Sequence, residues 1–333
     1  MQQSNYNSNS SGSSSNNSHK MDMLLKCLPT IAVLLFSNSF AGPASINCII
    51  QLVIFTLTAN LPALVTGRMA YVDIAWPWGL IAIGGLPFLS EGLENGHRGK
   101  IVMAAYLVAG FRMALGAAVL FFTGHLQKEF PRYMYLRRTW AKSGITDEGS
   151  LAFKLTMQKE ILVQCLANMG GLCMPLMIQA YGYRTGELTW LEVFGWGLWL
   201  VSIVFEHTAD KQKKRFIKDC AKNKIKNAVC DVGLWHYCRH PNYFGEWMVW
   251  NSLVITSIPS LMALWQTPEE SILIKVGMTW GLVSTSRMMY GCLVYYTGAV
   301  PAEFYTVQKR PGYAKYQKMV NMFWPGPRKE IKE

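Results

Sequence analysis

Residues 233–250 read GLWHYCRHPNYFGEWMVW and place Arg239, His240, Asn242, Tyr243 and Glu246 directly ahead of a long apolar run. Pro241 suits the first turn of a helix, where its missing N–H would be unpaired in any case. A helix is therefore expected to begin there, with Asn242 and Glu246 one turn apart on one face. A helix N-terminus offers free N–H groups and the positive end of the dipole, and the forked donors of an arginine match phosphate oxygens. The chemistry expected is capture of a phosphorylated ligand by Arg239 and His240, with Asn242 and Glu246 bonding amide or hydroxyl groups deeper in. An interfacial belt, with Arg239 reaching headgroups beside Tyr237, Trp247 and Trp250, is the plainer alternative. It leaves the Asn and the Glu without a task.

Two neighbouring stretches extend the pattern. In FEHTADKQKKRF (205–216), Glu206, Asp210 and Lys213 fall on one helix face at spacings of four and three. An acid at the end of a membrane helix is costly without a partner or a task, although an ion-pair stripe would supply one. In EFYTVQKRPGYAKYQKMVNMFWPGPRK (303–329), aromatics and bases alternate around Tyr313 and Tyr316, as in a segment lying on a membrane face. Earlier, VDIAWPWG (72–79) sets Asp73 at a membrane edge just after Tyr71, with Arg112 of FRMALG (111–116) as its expected partner. A structural ion pair explains that couple equally well. Cys230, His236, Cys238 and His240 lie close together, but their spacing matches none of the usual zinc clips, so no metal is expected.

The elements that must position these residues follow from composition. Of 333 residues, 51% are apolar and 16% charged, against roughly a quarter charged in soluble domains. Apolar blocks at 45–66, 77–90, 100–124, 159–181, 190–208, 243–263 and 273–299 approach the ~20 residues that cross a bilayer. The fold expected is an all-α polytopic transmembrane bundle of about seven spans, within six to eight. The net charge of +12 resides in the segments 126–158 and 209–240 and in the tail after 300. Segments 182–189 and 264–272 are nearly free of bases. That alternation obeys the positive-inside rule and puts the opening motif, the basic loops and the C-terminus on the cytosolic side. It argues against nucleic acid as a partner. The eight cysteines are scattered and form no disulfide framework.

Residues 1–22 are rich in Ser, Asn and Gln and are expected to be a disordered tail. Residues 23–44 place Lys26 ahead of a short apolar core and Ser39-Phe40-Ala41 as a cleavage-like site. They read as a signal anchor or a short first span. Residues 45–333 form the membrane domain, with the cofactor region in 205–328.

Taken together, these motifs resemble the membrane-bound steroid 5-alpha-reductase-like family (the 3-oxo-5-alpha-steroid 4-dehydrogenase C-terminal-domain type), in a branch of mostly unassigned substrate. The match rests on VDIAWPWG, FRMALG, EFPRYMYLRRTW (129–140), FEHTADKQKKRF, the opening motif and QKRPGYAKYQ (308–317). The resemblance implies an NADPH-dependent reductase of a C=C bond conjugated with a carbonyl, acting on a lipid or steroid-like substrate from the bilayer. It further implies an endoplasmic reticulum membrane in a eukaryotic cell. Carried over, Glu206, Asp210 and Lys213 would contact the nucleotide end. Arg239, His240, Asn242, Tyr243 and Glu246 would hold the pyrophosphate and nicotinamide side, and Tyr313 and Tyr316 would close the site. Asp73 or Tyr71 would be the catalytic donor; the carboxylate and tyrosine motifs of the steroid-reducing members are not found here. The R-H-P-x-Y-x-G pattern is also similar to that of isoprenylcysteine and phospholipid methyltransferases, where it holds S-adenosylmethionine. Asn242, Glu246, Asp210 and Lys213 point to the reductase. A third reading is a non-enzymatic lipid-binding protein, in which an unliganded polar cluster would cost stability.

Overall fold

The computed structural model describes residues 27–93 and 96–330, and within them every regular element is helical. The expected disordered tail lies outside the described residues. Helical residues 27–35 (α1) are followed by α2 (Ala41–Phe55), α3 (Leu61–Thr66), α4 (Val72–Leu89), α5 (His97–Phe122) and α6 (Pro131–Ala141). Then come α7 (Leu151–Leu166), α8 (Met174–Ala180), α9 (Trp190–Lys222), α10 (Pro241–Gln266), α11 (Ile272–Gly291), α12 (Ala299–Lys309) and α13 (Tyr313–Met319).

Among the described residues, five stretches are long and apolar enough to cross a membrane: Ala41–Thr66, Val72–Leu89, His97–Phe122, Leu151–Ala180 and Pro241–Gln266. The chain is an integral membrane protein. The two other expected blocks are the apolar half of α9 and α11. Wide π turns join α2 to α3 at Thr56–Asn60, join α7 towards α8 at Ala167–Leu172, and end α11 at Cys292–Tyr296. Of the expected signal anchor or short span at 23–44, the described helix α1 is packed into the bundle. Its Val33 and Thr30 sit against Gly277 and Gly281 of α11.

Two pairs of helices position the site. Helix α4 packs along α5, and α9 packs along α10. Close approach in the second pair depends on glycine at both ends. A Cβ on Gly195 would lie 2.6 Å from Thr256, and one on Gly245 would lie 3.0 Å from the Glu206 backbone. Such small residues let membrane helices come together where no hydrophobic driving force separates them from lipid. Helix α9 starts with a capping box: Thr189 Oγ1 accepts from Glu192 N–H, and Glu192 accepts from Thr189 N–H. The same Glu192 receives Arg98 of α5 at 2.5 Å, with both side chains buried. One end of the α5–α9 pair is thus fixed far from the residues that matter chemically.

Candidate active site

Helix α10 begins at Pro241, with His240 as its N-cap, so Asn242 and Glu246 share one face as expected. Gly245, beside Glu246, brings the Glu206 backbone into contact. The acidic stretch of α9 and the Asn-Glu face of α10 therefore meet at one point. They enclose a cavity of about 870 Å³ lined by Asp73, Arg112, Arg132, Tyr133, Glu206, Asp210, Asn242, Tyr243 and Glu246, among others. That volume lies within the roughly 300–1,000 Å³ usual for small-molecule sites. Trp76, Pro77, Met113, Met289 and Leu293 give the cavity an apolar wall.

One polar wall is built around Asp73, in the first turn of α4, where the helix dipole favours a carboxylate. Pro77, four residues on, has no N–H to give the Asp73 carbonyl. Arg132 Nη2 reaches Asp73 Oδ2 at 2.5 Å and the Tyr133 hydroxyl donates to Oδ1 at 2.6 Å. Both partners stand in the first turn of α6, which opens with Pro131. Burial works against the charge of Arg132, but Asp73 more than offsets it and holds the proton more firmly than usual. Burial and then the Asp73 carboxylate push the Tyr133 phenol well above its ordinary range, so it stays protonated.

The opposite wall carries Glu206, which pairs with Arg112 of α5, while Arg112 Nη1 lies 3.7 Å from Asp210. Arg112 thus partners Glu206 and Asp210; the expected pairing with Asp73 is corrected. The reason is topological, since α5 faces α9 here while Asp73 faces α6. The Asn242 Oδ1 atom is buried without a hydrogen bond. Lys211, Lys214 and His207 complete the α9 side.

Six of the twelve expected site residues line this cavity: Asp73, Glu206, Asp210, Asn242, Tyr243 and Glu246. The other six stand elsewhere. Tyr71 accepts a hydrogen bond from Arg68 at 3.2 Å. Lys213 places its ammonium 3.9 Å from the Trp235 ring centroid, and burial lowers its pKa. Tyr316 donates to the Trp235 carbonyl and clusters with buried Tyr313 and Val320. Arg239 grips Glu303 of α12 with Nε at 2.7 Å and Nη2 at 3.0 Å. Its Nη1 donates to the carbonyls of Gln317 and Val320. His240 meets the same carboxylate at 3.0 Å and stacks on Tyr243. An internal carboxylate therefore takes the donors that the sequence offered to a phosphate. Burial alone would raise the Glu303 pKa, but the bonds from His240 and Arg239 hold it at about 2. Burial drives His240 below its ordinary value despite Glu303.

Arg132, Tyr133, Lys211 and Lys214 were not expected in the site. Arg132 and Tyr133 carry a legible signal, an Arg-Tyr pair directly after Pro131. For the lysines no local signal separates Lys214, which lines the cavity, from Lys213, because spacings of three and four both share a helix face.

A family model described as a protein of unknown function (DUF1295) matches residues 61–320, a range that takes in every residue lining the cavity. No curated protein matches the chain, and no solved structure does.

Proposed function

Starting from a chain that belongs to the DUF1295 family, we propose a membrane-embedded, NADPH-dependent reductase of a C=C bond in a lipid or steroid-like substrate. One observation carries the reading: a single cavity joins the Asn242–Glu246 face, the Asp73–Arg132–Tyr133 wall and an apolar wall. The resemblance to steroid 5-alpha-reductase-like proteins supports the same chemistry.

The residues present fit a dinucleotide. The unpartnered Asn242 Oδ1 suits a carboxamide N–H, because a buried acceptor left unpaired costs free energy that a ligand can relieve. Glu246, Glu206 and Asp210 suit ribose or amide donors, and Lys211 and Lys214 suit phosphates. NADPH, when bound, supplies hydride. The protein's own part is to orient the acceptor and stabilise the charge that develops on it. Asp73 holds Arg132 and Tyr133 side by side, so a substrate carbonyl against them meets a fixed cation and a protonated phenol. The remaining N–H groups of Arg132 are donors placed ahead of the reaction and stabilise an enolate without reorganisation. In this reading Asp73 positions both side chains, and Tyr133 turns its single O–H from Asp73 to the substrate carbonyl, the donor role first given to Asp73 or Tyr71.

The test is thermal stabilisation of detergent-purified protein. NADPH is expected to raise the unfolding temperature saturably, by mass action on the folded state, and S-adenosylmethionine is expected not to. The reverse pattern would replace the reductase with a methyltransferase. Stabilisation by neither would favour a lipid-binding protein.

A further inference from the structure

Helices α5 and α9 are joined by ion pairs at two levels, at the same spacing along each chain, with Asp210 a second partner of Arg112. Arg98 pairs with Glu192, and Arg112 with Glu206. At 1.5 Å per residue the pairs stand about 21 Å apart along the helices, so the two helices are riveted at two levels. Past Asp210 no hydrogen bond or ion pair joins them among the described residues. Just there, Leu115, Gly116 and Val119 of α5 and His207, Lys211 and Lys214 of α9 line the cavity and are also exposed on the outer surface.

We infer that the gap between α5 and α9 beyond the Arg112–Glu206 pair is a lateral portal, through which a membrane-dissolved carbonyl compound with a long apolar body reaches the cavity, and that Gly116 keeps it open. This rests on the reading that the cavity takes a lipid-like substrate, and not on the identity of the cofactor. The two lips of the gap differ in chemistry. Helix α5 is of membrane length, and Leu115 and Val119 on its outer face are 69% and 61% exposed, which is apolar area placed against lipid. The α9 lip is basic and belongs at the headgroup level, where lysine stems run along apolar surface and their charges reach water. A mouth meant only for soluble metabolites would gain nothing from the apolar lip. Inside, the path continues over Met113, Met289 and Leu293 towards Arg132 and Tyr133, which suits an apolar body led by a neutral carbonyl. Gly116 sits in the apolar lip, and a Cβ there would meet nothing within 4 Å. A large side chain at this position enters the opening without striking the fold.

The experiment uses purified full-length protein in lipid bilayers and a long-chain ketone bearing a diazirine, photolysed and mapped by mass spectrometry. Wild type and Gly116→Ala are expected to be labelled at Met289 and Leu293 inside the cavity. In Gly116→Trp that labelling should drop at least tenfold, while labelling of the outer residue Phe122 persists. If Gly116→Trp does not fold, Val119→Trp on the same lip replaces it. Absence of interior labelling in the wild type overturns the portal, as does undiminished interior labelling in a folded tryptophan variant. NADPH stabilisation is measured on the same samples. Its loss in the wild type with labelling intact would strike the cofactor reading and leave the portal standing.

Discussion

The phenol of Tyr133 donates to the carboxylate of Asp73 at 2.6 Å, and both side chains face the cavity opposite the Asn242–Glu246 face of α10. The bond ties α6, which lies outside the membrane-length helices, to the first turn of a spanning one. It gives Asp73 a tyrosine partner from 60 residues further along the chain. It also sets a protonated phenol beside the Arg132 guanidinium.

Removing that phenol separates catalysis from binding. Tyr133→Phe is expected to lower NADPH-dependent turnover of a membrane lipid extract by about 100- to 1,000-fold, the range for losing one preorganised donor. NADPH stabilisation should stay near the wild-type value. Tyr71→Phe should change neither. Equal turnover in Tyr133→Phe and the wild type would remove Tyr133 from the mechanism.

The Arg239–Glu303 pair is a lock between the start of α10 and α12. Breaking a buried pair by removing one partner leaves an uncompensated charge, at about 3–5 kcal/mol. Glu303→Leu and Arg239→Met alone should each lose stability on that scale, read by denaturant or thermal unfolding. The double variant should lose much less than the sum. Strict additivity would mean that the two side chains do not act as a pair.

Acid should loosen the same lock. Burial holds His240 below its ordinary 6.5, and Glu303 sits at about 2 against 4.5. The unfolded chain therefore takes up a proton at His240 below pH 6.5 and at Glu303 below pH 4.5, before the folded chain does. Stability falls wherever the unfolded state binds more protons. Thermal midpoints should thus decline as pH drops below 6.5, and more steeply below 4.5. His240→Gln should flatten the first limb. A midpoint that rises on acidification to pH 4.5 would contradict this assignment.

Gly245 sets the contact between the two acidic faces. Because a Cβ there would lie 2.9 Å from the Glu206 side chain and 3.0 Å from its backbone, Gly245→Val must push α9 away from α10. Overpacking of this kind costs roughly 1–3 kcal/mol. The variant should lose stability and most NADPH stabilisation together, whereas Gly116→Ala should lose neither.

The membrane helices were legible because apolar composition and length alone define them. Their ends were less so. The block expected at 77–90 starts at Val72, since a proline in an early turn does not stop the helix, and the one expected at 273–299 gives way to a π turn at Cys292. Within the site, Asn242 and Glu246 could be placed from helix spacing, a local property. The partner of Arg239 could not, because Glu303 lies 64 residues away and a guanidinium carries no mark of which anion it will meet. Arg112 posed the same difficulty with three carboxylates in reach of the reading. Lys213 and Lys214 differ by one residue, and only the rotation of α9 against its neighbours decides which one faces the cavity.

The central claim is hydride transfer to a lipid, and isotope transfer tests it most directly. Full-length protein in bilayers is incubated with NADPH deuterated at the transferable position and a membrane lipid extract, followed by lipid mass spectrometry. The account predicts a lipid that gains two hydrogens, one of them a carbon-bound deuterium, in the wild type and at strongly reduced yield in Asn242→Leu and Tyr133→Phe. No deuterium in any lipid with folded protein and a complete extract, or a methyl group acquired instead from S-adenosylmethionine, would contradict it.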